Sequence, residues 1–336
     1  MFQRIMRWGL PCFGAIEEII RNSYPWSTSS SPPSQHEHGL MRAGVLDEEA
    51  QIMFMANSAC CTMKCRLPRR TASYCSLMQW LKGRKDAGIW PLATVDVPRM
   101  HTGTYVRDEI KLLIKSLIRF IQHLHRHGQC TTGGTFGPNN IGVVGEDLKF
   151  TELKLSGFTE QLQEENYKSL SLVIEETIFM SMTAQLPYDM KDLLDLLKNP
   201  RPPVDLISNH VALMNPNTCR DFIMKLSDKK KTLDSRRSKI WKISIEDLNV
   251  GVRWEDNILH DSPLWTIYSE GKYKSTHKAS LIRFLRNAAA HLSDHSRRGK
   301  KFKFEDISLI ITDSFPNVLA DLQRGLHRRG ILDEFL

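Results

Sequence analysis

The chain has 336 residues, 41% of them hydrophobic and 25% charged, which is ordinary globular usage and enough length for a sizeable core in one or two domains. Seven cysteines, an odd number, argue against a disulfide framework. The formal net charge of +8 is uneven, with much of the basic excess in short runs of the C-terminal part.

In chain order, Met1 to Ile20 carries Arg4, Arg7, Glu17 and Glu18 and has no apolar run long enough to span a bilayer. A soluble, cytoplasmic or nuclear protein without a membrane anchor is therefore expected. The Ser/Pro-rich stretch from Ser27 to His38 reads as a flexible linker, so residues 1–59 are expected to be poorly ordered. Cys60, Cys61 and Cys65 have no second Cys or His pair at zinc spacing and read as reduced thiols rather than a metal site. Helical periodicity predicts helices over Val106 to His125 and from about Tyr167, and the family resemblances given below imply two more, Tyr74 to Lys82 and Asn217 to Ser227.

The most informative pattern lies further on. From Lys278 to Leu292, apolar Leu281, Leu285, Ala288 and Leu292 recur at helical spacing and predict one buried stripe. Asn287 and His291 fall one turn apart on the polar side, Arg286 projects about 100° round the helix, and Tyr273 must enter from the preceding loop. These four residue types suit attack of a ribose 2′-hydroxyl on the adjacent phosphodiester, which leaves a 2′,3′-cyclic phosphate and a 5′-hydroxyl. A histidine titrating near neutrality can protonate the leaving oxygen, a phenol beside cations can share proton transfer at the nucleophile, and an arginine fits the phosphorane in a bidentate fork. The set calls for no cofactor and no metal. Taken singly, each residue has a plainer reading: His291 as a solvated helix residue, Arg286-Asn287 as a surface pair and Tyr273 as a loop residue between two lysines.

The joint context is more specific. Asn209-His210 leading into the 217–228 helix, the strip Asp247 to Ile258 with Trp254 and Asn257, Lys272-Tyr273-Lys274, the Arg-Asn-x-x-x-His of Arg286, Asn287 and His291, and Ser314-Phe315-Pro316-Asn317-Val318-Leu319 follow one another in order. That series resembles the kinase-extension nuclease (KEN) domain of the unfolded-protein-response kinase/endoribonuclease and of ribonuclease L. The resemblance implies ribonuclease roles for Tyr273, Arg286, Asn287 and His291, with RNA as partner. It departs from the family at Ala290, where one relative carries a second histidine, and at Ser275-Thr276-His277, which replaces a Gly-Gly.

Upstream, Leu124 to Gly128 resembles the end of the protein-kinase helix that precedes the catalytic loop. Counted back from Pro138, Asn140 and Ile141, the family's His-Arg-Asp falls on Gly133, Gly134 and Thr135, and Gly157 stands where an aspartate would hold Mg²⁺. No glycine-rich loop or Val-Ala-Ile-Lys strand precedes them, so neither ATP binding nor kinase activity is expected. Basic runs at Lys229 to Lys231, Arg236-Arg237, Arg297, Arg298, Lys300 and Lys301, and Arg328-Arg329, with Lys272 and Lys274 beside the tyrosine, could track an RNA backbone. The expectation is thus a mainly α protein: a truncated kinase-like C-lobe over 60–208, then an all-helical KEN ribonuclease domain over 209–336. It would process or degrade RNA in a stress response, as a homodimer or as a heterodimer with a related kinase/ribonuclease. The alternative is a pseudokinase/KEN binding module that regulates a full-length relative without cutting.

Overall fold

A serine sets the start of the first described helix. In the computed structural model, which describes residues 52–54, 61–64, 74–95, 103–133, 136–145, 147–260, 262–291 and 304–336, strands β1 (Ile52–Phe54), β2 (Cys61–Lys64) and β3 (Cys75–Ser76) lead to helix α1 (Leu77–Asp86). Ser76 Oγ accepts from the Gln79 amide while the Gln79 side chain accepts from the Ser76 amide, a reciprocal cap that fixes the first turn. The helix therefore begins three residues later than its expected start at Tyr74. Tyr74 instead lays its ring against Gly142, where an added Cβ would stand 2.2 Å from the ring. Strand β1 falls inside the 1–59 segment that was expected to lack order.

The hairpin β4 (Leu92–Val95) and β5 (Gly103–Val106) runs into the longest helix, α2 (Asp108–Arg126). Ile110, Leu113, Ile114, Leu117, Ile118, Ile121 and Leu124 recur at helical spacing on α2 and are all buried, each contributing about 1.5–3 kcal/mol of transfer free energy. Asp108 and Glu109 open the helix and His125 and Arg126 close it, the charge order that its dipole favours. Val106 is taken by β5, so α2 starts two residues later than its apolar period alone predicts. Strands β6 (Gln129–Thr131), β7 (Ile141–Val144), β8 (Asp147–Phe150) and β9 (Leu155–Gly157) follow. The main sheet is antiparallel in the order β1-β2-β8-β7-β3, and β6 pairs separately with β9. Phe120 of α2 stacks on Phe150 with centroids 3.6 Å apart and locks the β7–β8 hairpin to the helix.

Helix α3 (Glu160–Leu172) begins immediately after β9 because the Thr159 hydroxyl accepts from the Leu162 amide. It starts seven residues before Tyr167, the expected beginning. A π-helical segment, Val173–Ile178, continues α3 and ends at Met180 and Ser181, both left-handed with φ of 49° and 61°. Helices α4 (Tyr188–Leu197) and α5 (Val204–Ser208) complete the upstream half. Among the described residues, every regular element after Asn209 is helical: α6 (Pro216–Asp228), α7 (Ser235–Glu246), α8 (Pro263–Glu270), α9 (Lys278–His291), α10 (Phe304–Ser314) and α11 (Val318–Arg328), with short 3₁₀ turns between some of them. The protein is mainly α, with eleven α-helices among the described residues and only small antiparallel sheets. No described helix is long and apolar enough to cross a membrane.

The two halves share one buried core that runs from Leu77 to Phe335. At their junction His210, fully buried, bonds through Nε2 to Asp192 Oδ2 of α4 at 3.1 Å, and Arg324 of α11 pairs with Asp192 Oδ1. Gln323 holds the same turn from the other side, accepting from the Val211 amide at 2.7 Å and donating to the Asn209 carbonyl at 2.8 Å. Burial pushes the His210 imidazole down to about 4, and Arg324 rather than an imidazolium balances Asp192.

With a folded pKa below the ordinary 6.5, the contribution of His210 is complete above about pH 6.5 and is lost as pH falls toward 4, by about 3 kcal/mol. Urea denaturation across this interval should show an acid-side decline in the native chain that is visibly shallower in His210→Asn, which cannot titrate. Parallel profiles would contradict this assignment.

Candidate functional site

Helix α9 sits among α6, α7, α8 and α10 and packs against all four. Leu281, Leu285 and Ala288 are buried as their spacing predicts, and Ile282, Phe284 and Ala289 widen the stripe because neighbours surround the helix. Leu292 lies outside the described residues. What remains outward is Arg283 and His291, both exposed, with Arg286 and Asn287 half-buried between them.

Tyr273 reaches this face from the α8–α9 loop, which is held at several points. The Trp254 amide donates to the Ser275 carbonyl at 3.2 Å, Trp254 Nε1 donates to the His277 carbonyl at 3.2 Å, and the Lys274 amide donates to Ser280 Oγ at 2.9 Å. The Tyr273 ring meets Phe284 edge-on with centroids 5.3 Å apart and lies near-parallel to Tyr268 at 6.0 Å. Gly271 makes room for it: a Cβ there would stand 2.0 Å from Tyr273 Cε2, so only glycine lets the ring fold back over its own loop. Ser275 and Thr276 thus form a turn anchored to Trp254 through the Ser275 and His277 carbonyls.

Asn287 joins the loop to the helix. Arg286 Nη1 donates to Asn287 Oδ1 at 3.3 Å, and Asn287 Nδ2 donates to Tyr273 Oη at 2.8 Å. A guanidinium can only donate, so the amide oxygen must face Arg286 and the amide nitrogen must face the tyrosine. Tyr273 Oη therefore accepts from within, and its own proton is left to point outward. The Arg283 guanidinium lies 5.3 Å from the Tyr273 ring centroid, over the ring. Three of the four residues read from the sequence meet in one hydrogen-bonded chain. His291 is one helical turn beyond Asn287, about 6 Å along the axis, at the exposed end of α9. Sequence reasoning missed Gly271, Arg283 and Ser280. Gly271, two residues before the tyrosine, was the only signal available for the first of them.

Lys272 and Lys274 are exposed on either side of Tyr273. Arg297, Arg298, Lys300 and Lys301 lie outside the described residues. The remaining basic runs are partly neutralised within the protein: Arg237 pairs with Glu334 at 3.0 Å, Arg329 pairs with Asp247, and Lys230 lies 4.7 Å from the Trp241 ring centroid. Trp241 and Trp254 are buried anchors, as their apolar context implies. A cavity of about 1060 Å³ lies apart from this face, between α2, α6 and the C-terminal Leu336.

Upstream, Asn140 Nδ2 donates to the Thr151 carbonyl at 3.1 Å and the Thr151 amide returns to the Asn140 carbonyl at 2.9 Å. Asn140 thus ties the ends of the β7–β8 hairpin together. Gly157 has open space where a side chain would project, so packing does not require a glycine there. Gly134 and Thr135 lie outside the described residues. Among the described residues no cluster of three or more His, Cys, Asp or Glu could hold a metal ion. No family model matches this chain, and no curated protein matches it.

Gly271→Ala should cost about 1–3 kcal/mol in urea denaturation, the usual penalty of overpacking. Most of that loss should vanish in the Tyr273→Ala background, where the clashing ring is gone. Equal losses in both backgrounds would show that Gly271 does not position the tyrosine.

Proposed function

We propose that this chain is an endoribonuclease of the KEN kind, attached to a kinase-like half whose chemistry has lapsed. The observation that carries the reading is the Arg286–Asn287–Tyr273 hydrogen-bonded chain on the helix face that ends at His291. In the reaction a ribose 2′-oxygen bonds to the adjacent phosphorus as the bond from phosphorus to the 5′-oxygen breaks. Tyr273 stands nearest the 2′-hydroxyl, and its phenol oxygen, held by Asn287, takes the 2′-proton while passing its own to solvent. Arg286 faces the phosphorane oxygens, and the His291 imidazolium gives its proton to the departing 5′-oxygen. The products are a 2′,3′-cyclic phosphate and a 5′-hydroxyl. The chemistry needs no metal and no cofactor.

The cellular setting proposed is RNA processing or decay linked to a stress response, with a homodimer or a heterodimer with a related kinase/ribonuclease as the assembly. Loss of the kinase carboxylates favours the second reading, a module that binds or regulates such a relative without cutting. Purified protein incubated with hairpin RNA separates the two. Cleavage should persist in EDTA and leave cyclic phosphate ends. His291→Ala should lower it about 10²–10⁴-fold, the usual worth of a general acid, and Tyr273→Phe, which keeps the ring packing, should also lower it. Absence of cleavage by the native protein, or 5′-phosphate ends, would favour the binding module or another mechanism.

Gly157 and the lack of a phosphate-cradling loop also predict that Mg·ATP leaves the melting temperature unchanged. A ligand that binds only the native state must raise it, so a magnesium-dependent rise with ATP would contradict the lapsed-kinase reading.

A further inference from the structure

Four rings lie in a row along α8 and its flanks. His260 sits with its centroid 3.7 Å from Trp265, Trp265 lies 5.3 Å from Tyr268, and Tyr268 runs near-parallel to Tyr273 at 6.0 Å. The row ends at the tyrosine that Asn287 holds. Its inner side rests on the core, since Tyr268 and Tyr273 both meet buried Trp254 and Phe284 edge-on. Its outer side does not. His260 is exposed, and Trp265, Tyr268 and Tyr273 are only half-buried.

The polar tips separate these rings from ordinary core aromatics. Trp254 spends its indole N–H on the His277 carbonyl. Trp265 Nε1 and Tyr268 Oη bond to no described residue, and neither belongs to the buried polar atoms that lack a partner. Both tips therefore face solvent. His260 is itself a planar heteroaromatic ring against Trp265, tilted by 43° rather than stacked flat, so it covers that face incompletely. The exposed cations Lys272, Lys274 and Arg283 flank the end of the row, against exposed Glu270.

We propose that Trp265 and Tyr268, edged by His260, form a stacking shelf for unpaired RNA nucleobases beside Tyr273, with the lysines along the phosphates. The shelf rests on the reading of Tyr273 as part of an RNA site, and it supplies what that site otherwise lacks: a surface that takes any base by its π-face and disfavours paired ones. It makes the substrate single-stranded at the nucleotide that neighbours the cut.

A fluorescent, uniformly 2′-O-methylated single-stranded RNA tests this on the full chain, because it has no 2′-hydroxyl to attack and reports binding alone. Trp265→Ala should weaken its affinity roughly tenfold and His260→Ala roughly threefold, whereas Trp265→Phe should retain most of it, in keeping with the usual worth of one stacked base. The same RNA annealed to its complement should be bound more weakly and should not respond to His260→Ala. If Trp265→Ala unfolds, exposed His260 decides. No binding by the native chain, or affinity unchanged in the folded variants, overturns the shelf. Failure of the nuclease reading looks different: the methylated strand still binds in a Trp265-dependent way, while unmodified RNA is not cut in a His291-dependent way.

Discussion

The carboxylate of Asp192 is the contact on which the arrangement of the chain depends. It is buried in α4, and it takes Arg324 of α11 on one oxygen and His210 of the junction on the other. Three segments far apart in sequence converge on one negative charge. Removing one partner of such a buried group characteristically costs about 3–5 kcal/mol, because what remains is charged and dry. Gln323, next to Arg324, holds the backbone on both sides of His210, so the chain leaves the upstream half in one fixed direction. That direction lays α6 along α9, and α9 carries Arg286, Asn287 and His291.

The site inherits its order from this frame. Asn287 can present its amide nitrogen to Tyr273 only because Arg286 claims the oxygen, and Tyr273 can reach that nitrogen only because Gly271 lets the ring turn back. Trp254 closes the arrangement from beneath, holding the tyrosine loop by two backbone carbonyls while filling the core. Preorganisation of this kind matters for phosphodiester chemistry, where positioned donors contribute most when they need not move as charge develops. His291 stands at the exposed end of the same helix.

Much of the helical skeleton was legible in the sequence because the signal is local. The buried faces of α2 and α9 follow from apolar residues one turn apart. Helix starts were less legible. Ser76 and Thr159 decide them through side-chain caps, a reciprocal pair of bonds with Gln79 in one case and one bond to the Leu162 amide in the other, so α1 starts later and α3 earlier than expected. The four site residues could be read as a set, but only their order along the chain suggested that they meet. The contacts that make them meet are long-range: Trp254 to His277 spans 23 residues and Arg324 to Asp192 spans 132. No periodicity encodes such pairs. The shelf of rings escaped for a similar reason, since His260, Trp265, Tyr268 and Tyr273 are spaced irregularly and align only once α8 and its flanking turns are in place.

Helix α6 carries one further consequence through Cys219. This thiol is free and buried on the face of α6 that packs inward, and burial raises its pKa above the ordinary thiol value. While α6 stays packed in the core the sulfur is shielded and protonated, doubly inert toward alkylating reagents. Its labelling must therefore wait for the packing around α6 to open, so the rate at which an added reagent consumes this thiol is a clock for local opening beside the helix that backs α9. The protein thus carries its own kinetic probe of local opening, placed where the stability of the candidate site is decided.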